Sequence, residues 1–481
     1  MGVFMNIIKL RNLLDKREIS SVELVKSYLD RISASDSIIG AFLHINSKAI
    51  KVAEQAQKRI DAKEGGVLTG IPIGVKDNIC TKDMPTTCAS RMLEGFIPPF
   101  DADVIERLRA QDAVLIGKLN TDEFAIGGNT VSSYYKKTRN PFNINYVPGG
   151  SSGGSSAAVA AGFCPAALGT DTGGSIRQPA SFCGITGLRP TYGAVSRYGC
   201  VPMASSMDQV GPMAGSAEDC ALLLSAIAGV DHRDQMSVES PSKRTAVEPI
   251  SLKGKRLGLI EGEYGEITDA IKSAASWYEK QGAIVETISL PLLEYTVPAY
   301  FIISCAETSS NLSRFDGLRY GYRSESADSY EEMVSNTRRE GFGWEVKRRI
   351  MLGNHVLCAE NYDNYYKKAV RLASFLRQEV ENIFETYDAL LSPANSTAAY
   401  SFEDIYTDPA KKYMSAMYTA VAALTGLPSL STPCGYTSDG MPIGLLITGA
   451  HWDDYGILSL ANAFEQSFER KQPPDLAMSL S

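Results

Sequence analysis

The chain runs to 481 residues, 44% of them apolar, which is enough to bury a sizeable core without disulfide or metal staples. Its net charge of −8 argues against a nucleic-acid surface carried by the chain as a whole, leaving only a local basic patch open. No apolar run reaches the roughly 18 residues that span a bilayer, and residues 1–6 lack the basic and apolar pattern of a secretion signal. The nine cysteines are irregularly spaced with no Cys-x-x-Cys pair, so a soluble cytoplasmic protein with reduced thiols is expected. The histidines His44, His232, His355 and His451 are scattered, and no metal site is expected.

Taken in chain order, the first predicted element is a helix over 20–32, opened by the capping box Ser20-x-x-Glu23. A second helix over 47–62, charged on one face, stops at Gly65-Gly66. Residues 102–110 read as helix and lead into the apolar run 113–116, a buried strand. A helix-prone stretch at 157–161 precedes a strand at 164–168. Further on, 256–260, 267–281 and 283–290 form a βαβ unit, and 344–386 is largely helical. Strand-like runs at 389–391, 429–432 and 443–448 complete the pattern. This alternation predicts an α/β fold, a sheet covered by helices on both faces. One domain over 1–481 is expected: a helical part to about residue 65, a core over 66–225, and a polar surface excursion at 229–249.

Three segments between these elements carry the chemistry. In Gly70-Ile71-Pro72-Ile73-Gly74-Val75-Lys76-Asp77-Asn78, apolar neighbours draw a lysine inward. The second segment is Pro148-Gly149-Gly150-Ser151-Ser152-Gly153-Gly154-Ser155-Ser156, and the third is Gly169-Thr170-Asp171-Thr172-Gly173-Gly174-Ser175-Ile176-Arg177. Serines flanked by paired glycines leave hydroxyls and backbone N–H groups uncovered, as nucleophilic attack and oxyanion binding require. Ser175 follows a predicted strand and fits the nucleophile, with the N–H groups of Thr172, Gly173, Gly174 and Ser175 converging on an oxyanion. Lys76 serves as base only if it is largely neutral near pH 7, a bias of about 4 kcal/mol. Ser151 then relays the proton from Ser175 to Lys76.

Plainer readings stand beside these. The Gly/Ser run also reads as a linker, but an alanine-rich helix and a strand follow it. It lacks the lysine of a phosphate-binding P-loop, and the short Gly149-x-Ser151-x-Gly153 elbow pattern follows a poor strand at 145–148. Lys76 also reads as a surface lysine beside Asp77, and Ser175 as an incidental turn residue.

Together the Lys76, Ser151 and Ser175 segments resemble the amidase signature family, and the resemblance runs from about residue 20 to 465. It implies a single domain built on a central mixed, twisted sheet, with Lys76 as base, Ser151 as the serine on a cis peptide and Ser175 as nucleophile. Segments 119–125, 309–317 and 340–353 are similar to the branch that supplies the glutamine-hydrolysing component of tRNA-dependent amidotransferases. That branch implies glutamine as substrate and no cofactor in this chain. It also implies a heterotrimer with a B-type partner, which uses ATP and Mg on misacylated tRNA, and a small C-type partner. Arg349 is similar to the arginine that meets the substrate α-carboxylate, and Tyr300 to a residue of the same pocket; Arg349 also reads as a helix-surface cation among three in succession.

The chain departs from that pattern at Asn129 and Val131, and at Ala416, where an acidic residue that meets the substrate ammonium is expected. These departures keep a second reading in view, a stand-alone amidase acting on another carboxamide. A third, a scaffold without activity, is opposed by the retention of Lys76, Ser151 and Ser175. The choice between Glu-tRNA(Gln) and Asp-tRNA(Asn) as acceptor lies in the partner.

Overall fold

Short apolar runs bounded by turn residues become strands of one sheet in the computed structural model, which describes residues 6–241, 246–262, 264–407 and 413–474. Eleven strands lie among the described residues: β1 Phe42–Ile45, β2 Pro72–Lys76, β3 Val114–Leu119, β4 Ala166–Asp171, β5 Thr186–Arg189, β6 Gln209–Ala214, β7 Arg256–Ile260, β8 Ile284–Ile288, β9 Ala389–Pro393, β10 Ser429–Tyr436 and β11 Pro442–Gly449. Their order is β1-β3-β2-β4-β6-β5-β10-β11-β9-β7-β8. β2 runs parallel to β3 and β4, and β7 parallel to β8 and β9, while the remaining pairs are antiparallel. The sheet is therefore mixed, as the family resemblance implies, and flanked by helices, as the alternating pattern predicts. Every residue of β2, β3 and β4 is buried, which is why these strands read as continuous apolar runs.

The helices extend what the sequence marks. Ser20 caps the helix Ser21–Ile39 reciprocally with Glu23, and the buried stripe continues through Ile32, Asp36 and Ile39, past the predicted end at 32. Gly40, at φ +72°, ends it, and the Asp36 carboxylate accepts the N–H groups of Ala41 and Phe42 to turn the chain into β1. The stretch predicted helical over 344–386 divides into Trp344–Leu357, Ala359–Tyr362 and Tyr366–Phe384. The βαβ unit is present, with Thr268–Lys280 between the parallel strands β7 and β8. Of the excursion expected at 229–249, residues 242–245 lie outside the described residues. No helix among the described residues is long and apolar enough to cross a membrane.

One consequence of strand order matters for the chemistry. β2 and β4 are parallel neighbours, with Val75 opposite Leu168, so Lys76 at the end of β2 lies alongside Thr170 near the end of β4. The helix Gly153–Ala160 precedes β4 and packs on it, bringing the first serine cluster to the same strand ends.

Candidate active site

Lys76 is fully buried, which removes the surface-lysine alternative. Its Nζ lies 2.7 Å from Ser151 Oγ, 2.9 Å from Ser152 Oγ, 2.8 Å from Thr170 Oγ1 and 3.3 Å from Thr170 O. Burial lowers this amine from the ordinary lysine value to about 8, against the opposing pull of Cys200, Asp122, Asp171 and Asp208. That falls short of the largely neutral state expected at pH 7 and makes the neutral form a minority there. The Ser152 hydroxyl donates to Thr170 O at 3.0 Å, so toward Lys76 it acts as an acceptor. Asn78 Nδ2 reaches the same Thr170 hydroxyl at 3.0 Å. Ser152 and Thr170 are partners that motif reading misses, although both stand beside residues it singles out.

Ser151 follows the peptide bond Gly150–Ser151, which is cis. Residues 149–156 are buried, so they are no flexible linker, and among the described residues no strand leads directly into them to make a nucleophile elbow. Asp122 supports this corner from behind. Its Oδ2 accepts the N–H of Thr130 at 2.9 Å and of Asn129 at 3.2 Å, and its Oδ1 accepts the Ser132 hydroxyl at 2.8 Å. A side chain at Gly150 would place its Cβ 2.3 Å from Asp122 Oδ2, so only glycine fits there. Asn129 therefore enters the site through its backbone, while its side chain reaches the Tyr400 hydroxyl, and Val131 packs against the core.

Ser175 lies in the turn between β4 and the helix Arg177–Phe182 and is 8% exposed. Its carbonyl accepts the N–H of Ser152 at 3.1 Å, which ties the two serine segments together. No hydrogen bond joins its hydroxyl to Ser151 or Lys76. The turn is organised by Asp171, whose buried carboxylate meets Arg177 and Arg189. Burial alone would raise this carboxyl; the two guanidiniums and its N–H donors outweigh that and hold it well below the usual carboxylate range.

Gly174, expected as an oxyanion donor, has its N–H engaged within the turn. The Gly174 N–H donates to Asp171 Oδ1 at 2.9 Å and is already spent. Asp171 Oδ2 likewise takes the N–H of Ile176 at 3.1 Å. Among the described residues, none accepts a hydrogen bond from the backbone N–H of Thr172, Gly173 or Ser175. The Thr172 hydroxyl donates to Asp208 Oδ1 at 2.6 Å, and Thr419 Oγ1 donates to Gly173 O at 2.8 Å.

Tyr300, on the helix Leu293–Leu312, lies against this turn: a Cβ on Gly173 would meet its Cζ at 2.4 Å. One turn along the same helix, Ser304 Oγ lies 3.4 Å from Arg349 Nη1. Arg349 is 4% exposed, which excludes the helix-surface alternative. Its guanidinium carbon sits 4.1 Å from the Phe301 ring centre, and its Nε donates to Glu345 Oε1 at 2.9 Å. Glu345 also binds Arg348 through two contacts of 2.7 and 2.8 Å. The structure thus brings Tyr300 and Arg349 to one wall, with Arg349 already sharing a carboxylate. Ala416 stands at the start of the helix Met417–Thr425, and its carbonyl lies 3.0 Å from the same Thr419 hydroxyl, so the departure at 416 borders the Gly173 turn.

A lysine, two serines and a Gly-Gly turn gathered where two parallel strands of a mixed sheet end define an amide-cleaving class of protein. The chain belongs to the amidase family, whose model matches residues 23–458. It is 46% identical over 469 residues to the A-type component of glutamyl-tRNA(Gln) amidotransferase from Ruminiclostridium cellulolyticum, covering 96% of each chain. To that of a Nostoc species it is 47% identical over 477 residues, covering 96% of this chain and 97% of the relative. The crystal structure of the corresponding component from Thermotoga maritima matches with a TM-score of 0.80 at 34% identity, covering 98% of both chains. The peptide amidase of Stenotrophomonas maltophilia matches with a TM-score of 0.84 at 30% identity, again over 98% of both.

Proposed function

We propose that this chain is the glutamine-hydrolysing component of a glutamyl-tRNA(Gln) amidotransferase in the cytoplasm, working through a Ser-Ser-Lys acyl-enzyme. The observation that carries the chemistry is the 2.7 Å contact between the buried Lys76 amine and Ser151 Oγ. Ser175 Oγ attacks the side-chain carboxamide carbon of glutamine while its proton passes to Ser151, whose own proton passes to neutral Lys76. The hydroxyl of Ser175 must turn toward Ser151 as the carboxamide docks, since catalytic hydrogen bonds often close only with substrate in place. The N–H groups of Thr172, Gly173 and Ser175 stabilise the oxyanion. The proton then returns from Lys76 through Ser151 to the leaving nitrogen, ammonia departs, and water releases glutamate from Ser175. Tyr300 lines the pocket, and the Arg349 guanidinium meets the substrate α-carboxylate.

The names of relatives across nearly the whole chain support placing this chemistry in a heterotrimer. Ammonia passes to a B-type partner that uses ATP and Mg to activate misacylated Glu-tRNA(Gln), and a C-type partner holds the pair together. The acidic balance of this chain fits a division in which the partner carries most of the tRNA surface. Ser175→Ala should abolish glutaminase activity with an unchanged circular dichroism spectrum and melting curve. Full activity in that variant would end the proposal.

A second reading has its own observations, the alanine at 416 and the likeness to a peptide amidase. It makes the chain a stand-alone amidase for another carboxamide. A panel of amides supplied without partners decides between them: turnover of simple amides and none of glutamine would favour the second.

A further inference from the structure

Two adjacent carboxylates, Asp122 and Glu123, lie just beyond β3, and only the first serves the serine side of the site. Glu123 points elsewhere. It is 2% exposed, its Oε1 accepts the Ser90 hydroxyl at 2.5 Å, and its Oε2 accepts the N–H of Gly343 at 2.8 Å. Gly343 is the N-cap of the helix Trp344–Leu357 and supplies no side-chain cap of its own. The first N–H groups of a helix have no partner within it, and a carboxylate there also meets the positive end of the helix dipole. A Cβ at Gly343 would lie 2.4 Å from Glu123 Oε2, so any other residue would push the carboxylate away.

The same helix carries Arg349 on its buried face, along with Val346, Gly353 and Val356. Its far half is clamped as well: a Cβ at Gly353 would lie 2.0 Å from Cys305 O on the Tyr300 helix. The helix is thus fixed at Gly353 by close backbone approach and at Gly343 by Glu123, with Arg349 between the two points. Burial raises the Glu123 carboxyl to about 7, opposed by the Ser90 and Gly343 donors and by Lys347, so its contacts are held in a dry environment.

We infer that Glu123 is a positioning residue for substrate selection, setting where Arg349 meets the α-carboxylate by fixing the start of its helix. This rests on the role proposed for Arg349. A purely structural cap would alter folding or the amount of active enzyme and leave discrimination between substrates unchanged. The inferred role acts on affinity for the carboxylate alone.

The test uses the full chain with its B- and C-type partners and compares glutamine with butyramide, which lacks the α-carboxylate, as substrate or competitive inhibitor. Glu123→Ala should raise the glutamine KM by about tenfold, the scale of a lost hydrogen bond to a charged group, with kcat within about twofold and butyramide affinity unchanged. Glu123→Gln, whose amide oxygen can still accept from Gly343 and whose NH2 can donate to Ser90, should restore most of that loss. If Glu123→Ala does not accumulate as folded protein, Ser90→Ala must raise the glutamine KM in the same selective way. A KM rise equal for both amides, or a fall in kcat with no change in the glutamine KM, overturns the inference. An unchanged glutamine KM in Arg349→Met shows that the carboxylate reading itself fails and removes the inference with it. A rise in Arg349→Met without one in Glu123→Ala removes the inference alone.

Discussion

Arg177 grips Asp171 at two points, Nε to Oδ2 at 3.0 Å and Nη2 to Oδ1 at 2.9 Å, with neither residue exposed to solvent. Arg189 adds Nη1 at 3.2 Å from Oδ1 and 2.6 Å from the Asp171 carbonyl. Because that carboxylate also takes the N–H groups of Gly174 and Ile176, the ion pair and the Ser175 turn are one construction.

Removing one partner of a buried pair leaves an uncompensated charge, so Asp171→Asn should destabilise the fold by about 3–5 kcal/mol in denaturant titrations and lower kcat as the turn relaxes. An unchanged unfolding midpoint would contradict this account. The pH dependence has a definite sign. The folded carboxyl titrates below an unfolded aspartate, so its stabilisation is complete above the ordinary carboxylate range and is lost as pH falls toward the lower folded value.

The Lys76 amine predicts a second titration. Only its neutral form can take a proton from Ser151, and burial lowers it to about 8. The rate constant kcat/KM should therefore climb about tenfold per pH unit below that value and level off above it. Lys76→Met should remove the limb together with the activity. A profile flat from pH 6 to 9 would show that some other group controls the proton.

At position 416 the prediction separates the two functional readings. Ala416 borders the Gly173 turn through the shared Thr419 hydroxyl. If glutamine is the substrate, Ala416→Asp adds an anion for its ammonium, a contact of about 1.5–3 kcal/mol, and the KM should fall by roughly ten- to a hundredfold. If the natural substrate is a carboxamide without an ammonium, the same change should leave its KM unaltered or raise it.

The degree to which these features can be read from sequence follows from their range along the chain. Lys76, Ser151 and Ser175 stand in contiguous motifs whose glycines and apolar neighbours announce a buried turn. Thr170 meets Lys76 across 94 positions, and Glu123 meets Gly343 across 220, contacts that exist only once strand order is fixed. The strand β6 escapes prediction because Gly211 and Pro212 read as breakers, yet Pro212 sits opposite Leu168 in an antiparallel pair with β4. The Gly174 N–H looks free for an oxyanion because sequence shows the glycine but not the Asp171 carboxylate folded back onto it. Arg349 is recognisable as a candidate, but its partner Glu345, four residues earlier, passes for half of an ordinary surface helix pair.

The close approach of Tyr300 to Gly173 gives the sharpest test of the turn itself. A methyl group at position 173 would stand 2.4 Å from Tyr300 Cζ and 2.7 Å from its hydroxyl oxygen, well inside contact distance, so either the ring or the turn must move. The carbonyl of Gly173 is pinned by Thr419 Oγ1 at 2.8 Å and the neighbouring N–H by Asp171, which leaves the backbone little freedom to yield. Displacement of the ring is the cheaper route, and it disturbs the pocket wall next to the N–H groups of residues 172, 173 and 175. Gly173→Ala should therefore cut kcat/KM by up to about a hundredfold, the scale of a roughly 1 Å misplacement of the groups around a substrate, with little change in melting temperature. Adding Tyr300→Ala to make room should recover part of that loss. If the double variant is no better than Gly173→Ala alone, the clash with the ring is not what the methyl group disturbs.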